Sequence, residues 1–274
     1  MSMFDLSGKV SMVSGAASGM GQAMALGLAE AGSDLLIVDR NAEGMQKTAD
    51  EIAAMGRKVV QVVCDVSNIE QIRGELFGTL DKEFGQINFL GNVAGDGHLA
   101  HPEDLEIEDL HRVLQNLVVG RFCCAQEAGR RMLKAGNGGS IINIGSLASI
   151  SSLGRGHIAY SISMGAVVQM TRELSTEWSG RGIRVNAILP AQVTNDSLRK
   201  RMAADPNLEA RFLSGIPAGR MGMPSDIKGL AVLLASDASS WITGACIPMD
   251  GGNLAMNAGG TPGVGDFTPW NGDK

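Results

Sequence analysis

No stretch of the sequence approaches the roughly 18 consecutive apolar residues that a membrane-spanning helix needs. The N-terminus, MSMFDLSGKV, carries Asp5 and Lys9 where a secretory leader would have its apolar segment, so a soluble, cytoplasmic protein is expected. Cysteine is scarce. Cys64, Cys123, Cys124 and Cys246 form neither a C-x-x-C pair nor a metal-ligand spacing, and the adjacent pair falls in a helical stretch that disfavours direct bridging. No metal site is expected, and the four read as reduced core residues of a reducing compartment. Positive charge is also short: 23 Lys and Arg stand against 29 Asp and Glu, a net charge of -6, with no basic run. Nucleic acid is therefore not an expected partner. Charged residues make up 19% of the chain and apolar residues 44%, too little repulsion and too much burial for global disorder.

What is present is a regular alternation. Short apolar runs (VSMVS, LLIVD, KVVQVV, INFLGNVAG, SIINIGS, RVNAILP, ACIPMDGG) are separated by longer segments of helical period. Such alternation predicts an α/β fold, a single-domain, Rossmann-type doubly wound parallel sheet of about seven strands with helices on both faces. Apolar strands fit, since central parallel strands are covered on both sides. One domain is expected over 1–252, with an excursion at 191–224 of the kind that forms lids. The tail, 253–274, has no period and reads either as disordered or as an arm that docks through Phe267 and Trp270.

The turn Gly15-Ala16-Ala17-Ser18-Gly19-Met20-Gly21 joins the first strand to the first helix, where backbone N–H groups of a helix N-terminus can meet a pyrophosphate. Glycines alone are weak evidence, because a tight turn needs them too. Asp39, however, closes the second strand 18 residues after Gly21, near the offset at which an acid accepts hydrogen bonds from the adenosine ribose. A carboxylate there repels the 2′-phosphate of NADP, which favours NAD. Arg40 argues the other way, since its guanidinium could engage that phosphate.

These residues resemble the short-chain dehydrogenase/reductase superfamily from about Leu6 to Gly252. The G-x-x-x-G-x-G spacing is that family's version of the turn. Asp65-Val66, Asn92-Val93-Ala94-Gly95, Asn116, Ser146, Tyr160, Pro190 to Asn195 and Met249-Asp250-Gly251-Gly252 follow in family order. The resemblance implies that Asp65 and Val66 frame the adenine and that Asn92, Ala94 and Gly95 line the cofactor groove. It likewise implies that the backbone near Pro190 and Val193 holds the carboxamide, with Asn195 in place of a frequent threonine and Ala191 in place of a glycine. Tyr160, the only tyrosine, would be the general acid/base and would also border the cofactor. Ser146 would polarise the substrate oxygen. Asn116 would hold a helix distortion and a water in a proton relay. Ser146 and Tyr160 are one residue further apart than is usual, so Ser149, Ser151 and Ser152 are reserve candidates. A homotetramer or homodimer through the final helix and ACIPMDGG is implied in the same way.

One position breaks the pattern. The family writes Y-x-x-x-K, and the residue four after Tyr160 is Met164. Positions i and i+4 share a helix face, so methionine lies where the lysine ammonium would bond the nicotinamide ribose and favour the phenolate. Bringing a tyrosine from about pH 10 to about 7 is a shift of about 3 units, or roughly 4 kcal/mol, and a nearby cation supplies about 1 to 3 of those units. Its loss predicts proton transfer slowed by about 10- to 1000-fold at neutral pH. Arg155 and His157 in the preceding loop are candidate substitutes; Arg172, 12 residues along the helix, is too distant. His98, after the fourth strand, is an alternative base.

The leading expectation is an NAD(H)-dependent oxidoreductase that interconverts a secondary alcohol and a ketone on a small polar or hydroxylated substrate. The alternatives are a dinucleotide-binding sensor or scaffold with little turnover, and an epimerase or lyase using bound NAD without net redox. Fold alone does not separate them.

Overall fold

A computed structural model describes residues 2–256; the part of the tail from 257 onward, with Phe267 and Trp270, lies outside the described residues. Seven parallel strands form one sheet in the order β3-β2-β1-β4-β5-β6-β7. They are β1 (Val10–Ser14), β2 (Asp34–Asp39), β3 (Val59–Val63), β4 (Phe89–Asn92), β5 (Gly139–Ile144), β6 (Ile183–Pro190) and β7 (Cys246–Met249). All five residues of β1 and the run Leu35 to Val38 of β2 are buried, as strands covered on both faces must be.

The helices divide between the two faces. α1 (Gly19–Glu30), α2 (Ala42–Ala54) and α10 (Ile227–Ala235) cover one, and their Met24, Leu28, Ile52 and Leu234 pack with Leu35, Ile37 and Phe89. On the other face, the short α3 (Ile69–Gln71) runs through a π-helical turn, Ile72–Leu76, into α4 (Phe77–Glu83). There Phe77 and Leu80 join Leu36, Val38, Leu90 and Ile141, together with residues of α6 (Arg121–Ala135) and α7 (Ile158–Trp178). Phe77 is fully buried, and its truncation to alanine would cost about 3–5 kcal/mol. The four cysteines are free, three of them in the core.

Two departures from regularity bear on the site. α5 (Ile107–Leu114) passes into α6 through a π-helical turn, Gln115–Gly120, so what reads as one helix is broken by an extra residue. Between β6 and β7 the chain makes an excursion with α8 (Asp196–Ala204) and α9 (Leu208–Leu213), packed around its own cluster of Leu198, Leu208, Phe212, Ile216 and Met221. No helix among the described residues is long and apolar enough to cross a membrane, and no group of three or more His, Cys, Asp or Glu is arranged to hold a metal ion.

From β1 the strand order runs outward in both directions, to β2 and β3 on one side and to β4 through β7 on the other. The connections on either side therefore diverge at the carboxyl ends of β1 and β4, and a crevice opens between them.

Candidate active site

Ser14 ends β1 and ties it to β4: its hydroxyl oxygen accepts N–H groups from Val93 and Ala94 at 3.1 and 3.2 Å. Each glycine of the turn that follows has its own reason. A Cβ on Gly21 would lie 2.0 Å from the Gly15 carbonyl oxygen, so the helix could not pack on the turn. Gly15 has φ 73, and a Cβ on it would lie 3.0 Å from the Ala94 nitrogen; Gly19 has φ 59, and a Cβ there would meet nothing within 4 Å, which leaves the α1 N-terminus open to the crevice. Ser18, the N-cap, makes no side-chain capping bond. First-turn N–H groups beside open space suit a diphosphate.

The resulting cleft has a volume of about 880 Å³. Gly15, Ser18, Gly19, Met20, Gly21, Asp39, Arg40, Asp65, Val66, Ala94, Gly95, Asn116, Val193 and Asn195 all border it. The Asp39 carboxylate is fixed at the end of β2, with Oδ2 accepting from the Ala17 N–H at 3.1 Å and Oδ1 from the Asn41 N–H at 3.0 Å. Arg40 leans across the mouth to Asp96. Partial burial pushes the Asp65 carboxyl up, but the Ser67 N–H and hydroxyl outweigh it and hold it below its ordinary value.

Asn92 departs from its expected place. Its side chain is buried inside the sheet, donating to Asn143 Oδ1 at 2.9 Å and to the Arg121 carbonyl at 3.3 Å, and it does not border the cleft. Asn143 in turn donates to Thr171 Oγ1 at 2.9 Å, a chain of polar groups linking β4, β5 and α7. Residue type cannot reveal this, because β4 is buried on both faces and either direction is inward. His98 also lies elsewhere, facing Asp109 at 3.3 Å and Arg112 at the surface.

A second cavity of about 390 Å³ adjoins the first, sharing Val193, Asn195 and Ser197. Ser146 and Tyr160 both line it, with Pro190 and Gln192. Ser146 follows β5 and caps a short 3-10 turn, Leu147–Ser149, its Oγ accepting from the Ala148 N–H at 3.2 Å. Two of the reserve serines are committed locally: Ser149 Oγ accepts the Ser146 N–H, and Ser151 donates to the Leu147 carbonyl; Ser152 is exposed and lines neither cavity. Asn116 sits in the π-helical turn and accepts the Asp96 N–H at 3.0 Å.

The second cavity is cationic. Arg155, His157 and Arg201 line it, and no carboxylate does. Arg155 has φ 57 between Gly154 (φ 63) and Gly156 (φ 77), so three successive residues occupy the left-handed region, and its guanidinium lies 5.3 Å from the Phe212 ring centre. Burial, then repulsion from Arg201 and Arg211, lowers the Arg155 pKa from its usual value.

Met164 is buried with Val113, Leu117, Ala148, Ala159 and Val167. Sequence reading overlooked Arg121, whose side chain enters the protein behind Gly95 and bonds main-chain carbonyls at the ends of β4 and β5. The available signal was a single charge inside the otherwise apolar run from Leu117 to Ala125.

The family described as Enoyl-(Acyl carrier protein) reductase matches residues 15–253. The chain is 37% identical over 255 residues to the 2-dehydro-3-deoxy-D-gluconate 5-dehydrogenase of Escherichia coli (strain K12), covering 93% of this chain and 99% of the relative. It is 38% identical over 249 residues to the D-threitol dehydrogenase of Mycolicibacterium smegmatis, covering 91% and 94%. Among solved structures, the gluconate 5-dehydrogenase of Burkholderia cenocepacia J2315, in complex with NADP and tartrate, matches with a TM-score of 0.86 at 30% identity over 93% of this chain and 98% of that one. Likeness of this extent, running through both cavities rather than the glycine turn alone, places the chain in the short-chain dehydrogenase/reductase superfamily.

Proposed function

We propose that this protein is an NAD(H)-dependent dehydrogenase that interconverts the secondary alcohol of a small hydroxylated carboxylic acid and the corresponding ketone. One observation carries the reading: Ser146 and Tyr160 line a cavity that opens onto the dinucleotide-shaped cleft. The glycine turn, the open α1 N-terminus and Asp39 fit a dinucleotide. When bound, the oxidised nicotinamide would take the hydride from the substrate carbon. Tyr160, as phenolate, accepts the hydroxyl proton, and the C–O bond becomes a carbonyl as C–H and O–H break. The Ser146 hydroxyl bonds the same oxygen, and Val193 and Asn195 bound both the cofactor and the substrate. Asn116, held to the Asp96 N–H beside the cleft, orders the loop along which protons leave.

Arg155 and Arg201 support an acid over a neutral polyol, since two guanidiniums without a carboxylate favour an anion. Sugar-acid activity in relatives agrees. Asp39, with Arg40 already paired, supports NAD over NADP. The α8–α9 excursion serves as the lid, because Asn195, Ser197, Leu198, Arg201 and Phe212 on it line the substrate cavity. Assembly through α10 and β7 is supported by the sheet edge that β7 presents and by Trp241 nearby, which is 96% exposed.

The test follows absorbance at 340 nm with NAD or NADP across sugar acids and matched polyols between pH 7 and 10, with NADH binding measured by fluorescence. Acid oxidation with NAD is expected. No affinity for either dinucleotide would sink the reading. A second reading, a dinucleotide-binding protein with little turnover, draws on Met164 alone, and binding without any change at 340 nm would favour it.

A further inference from the structure

Gln192 is the second residue beyond β6, and the main chain around it is held from two sides. The Ala191 N–H donates to the Met249 carbonyl at 3.2 Å, the Gly222 N–H to the Gln192 carbonyl at 2.9 Å, and the Thr194 N–H to the Gly222 carbonyl at 2.9 Å. The segment is fixed without help from the Gln192 side chain. That side chain is half-buried, and its Oε1 is wholly buried with no hydrogen-bond partner, the one such side-chain nitrogen or oxygen among the described residues. Buried polar atoms are nearly always paired, so an exception in a cavity wall calls for a partner that the resting protein does not contain.

Position narrows what that partner is. Gln192 lines the substrate cavity together with Ser146 and Tyr160, and it does not border the dinucleotide cleft. It also walls a further cavity of about 360 Å³, where the charged groups are already engaged. There Arg220 donates twice to Asp226, at 2.8 and 3.0 Å, and Asp250 accepts the N–H groups of Gly252 and Leu254. Within the substrate cavity, Arg155 and Arg201 can only donate. The other side-chain carbonyl on that wall, Asn195 Oδ1, already accepts the Leu198 N–H at 2.8 Å. On the proposed function, Ser146 and Tyr160 serve the oxygen that reacts. Any further hydroxyl of the substrate brings a proton that needs an acceptor, and the Gln192 carboxamide has a free one. Its terminal torsion is soft, and a half-turn exchanges oxygen for nitrogen within the same outline, so the acceptor can face the cavity with the main chain unmoved.

We propose that Gln192 is a specificity-determining residue, its carboxamide oxygen accepting a hydrogen bond from a substrate hydroxyl other than the one oxidised. The arginines then read the carboxylate and Gln192 reads the hydroxylated chain. The substrate is accordingly a polyhydroxylated acid and not an acid with a single hydroxyl. This inference rests on the dehydrogenase reading above and deepens it.

Gln192→Met keeps the length of the side chain and removes the acceptor; Gln192→Leu replaces it if that variant does not fold. Parent and variant are assayed with NAD on gluconate and on analogues that each lack one hydroxyl other than the one oxidised. In the variant, kcat/KM for gluconate should fall about tenfold, chiefly through KM, because the bond is made in the ground and transition states alike. One analogue should be a poor substrate for the parent and change by less than about twofold in the variant, so that the two losses do not add. Without ligands, the melting temperature of the variant should equal or exceed that of the parent, since no bond within the protein is lost. Equal losses on gluconate and every analogue, a parent indifferent to each missing hydroxyl, or a melting temperature lower by more than about 3 °C overturns the proposal. NADH fluorescence, expected to be the same in parent and variant, tests the dehydrogenase reading separately. No binding in the parent, or binding without oxidation of any of these acids, sinks that reading and this proposal with it, whereas the outcomes above sink this proposal alone.

Discussion

The Arg40 guanidinium donates to the Asp96 carboxylate at 2.9 Å, joining the residue after β2 to the loop after β4 across the mouth of the dinucleotide cleft. Both side chains are more than half exposed, so the pair contributes little to stability. Its consequence is for selectivity: Arg40, the cation that follows Asp39 on the pocket rim, is already engaged. Asp96→Asn releases it and should improve NADP binding relative to NAD by about three- to tenfold. Dissociation constants for NADH and NADPH from fluorescence titration check this, and an unchanged ratio would leave selectivity to Asp39 alone.

Tyr160→Phe removes the hydroxyl and little else. Turnover should fall by about 10²–10⁴-fold, the usual contribution of a positioned acid/base group, while NADH affinity changes less than about twofold. A variant retaining most of its activity would assign proton transfer to another group.

Arg201, on α8, lines the same cavity as Tyr160, the one proposed to take the substrate. Arg201→Gln should raise KM for carboxylate substrates about tenfold and leave KM for neutral polyols within about twofold, because removing one charge–carboxylate bond costs roughly 1.5–3 kcal/mol. Steady-state kinetics on a matched acid and polyol separate the cases. Equal losses on both substrates would mean that Arg201 shapes the excursion rather than reads charge.

Asn143 accepts from Asn92 and donates to Thr171 inside the sheet. Asn143→Leu leaves Asn92 and Thr171 partly unpaired in a buried site and should lower unfolding free energy by about 1–3 kcal/mol. Urea denaturation measures it; a loss under about 0.5 kcal/mol would show that the groups find other partners.

Asp81 and Asp226 titrate below their ordinary value of 3.8, held down chiefly by hydrogen bonds from Arg131 and Arg220 respectively. A carboxyl whose folded pKa is depressed adds stability in full above its unfolded pKa and loses it as pH falls through the folded one. The melting temperature should therefore fall below about pH 4, and 0.5 M salt should shrink the effect because these pairs are partly exposed. A melting temperature constant from pH 5 to pH 3 would contradict the assignment.

The sheet was legible because parallel strands covered on both faces read as unbroken apolar runs, and LLIV of β2 is buried throughout. The glycine turn and Asp39 were legible because the turn needs its residue types at fixed spacing. Contacts between distant segments were not: Arg40 meets Asp96 from 56 positions away, and Asn92 turns toward Asn143 from 51. Helical periodicity also hid the π-helical turn at Gln115–Gly120, since one extra residue barely disturbs an apolar pattern. Arg121 was invisible for a related reason. A lone charge in an apolar stretch ordinarily reaches outward, and only the carbonyls at the ends of β4 and β5 turn it inward.

Arg155 alone among non-glycine residues of the described chain has a positive φ. Glycine would sit there more comfortably, by about 1–2 kcal/mol, as it does on either side. A chain that keeps a large cationic side chain in a backbone geometry made for none carries that strain at the wall of the cavity that Tyr160 also lines. On the proposed function, hardening this protein against heat by Arg155→Gly would relieve the strain and remove a cation from the cavity with the same change.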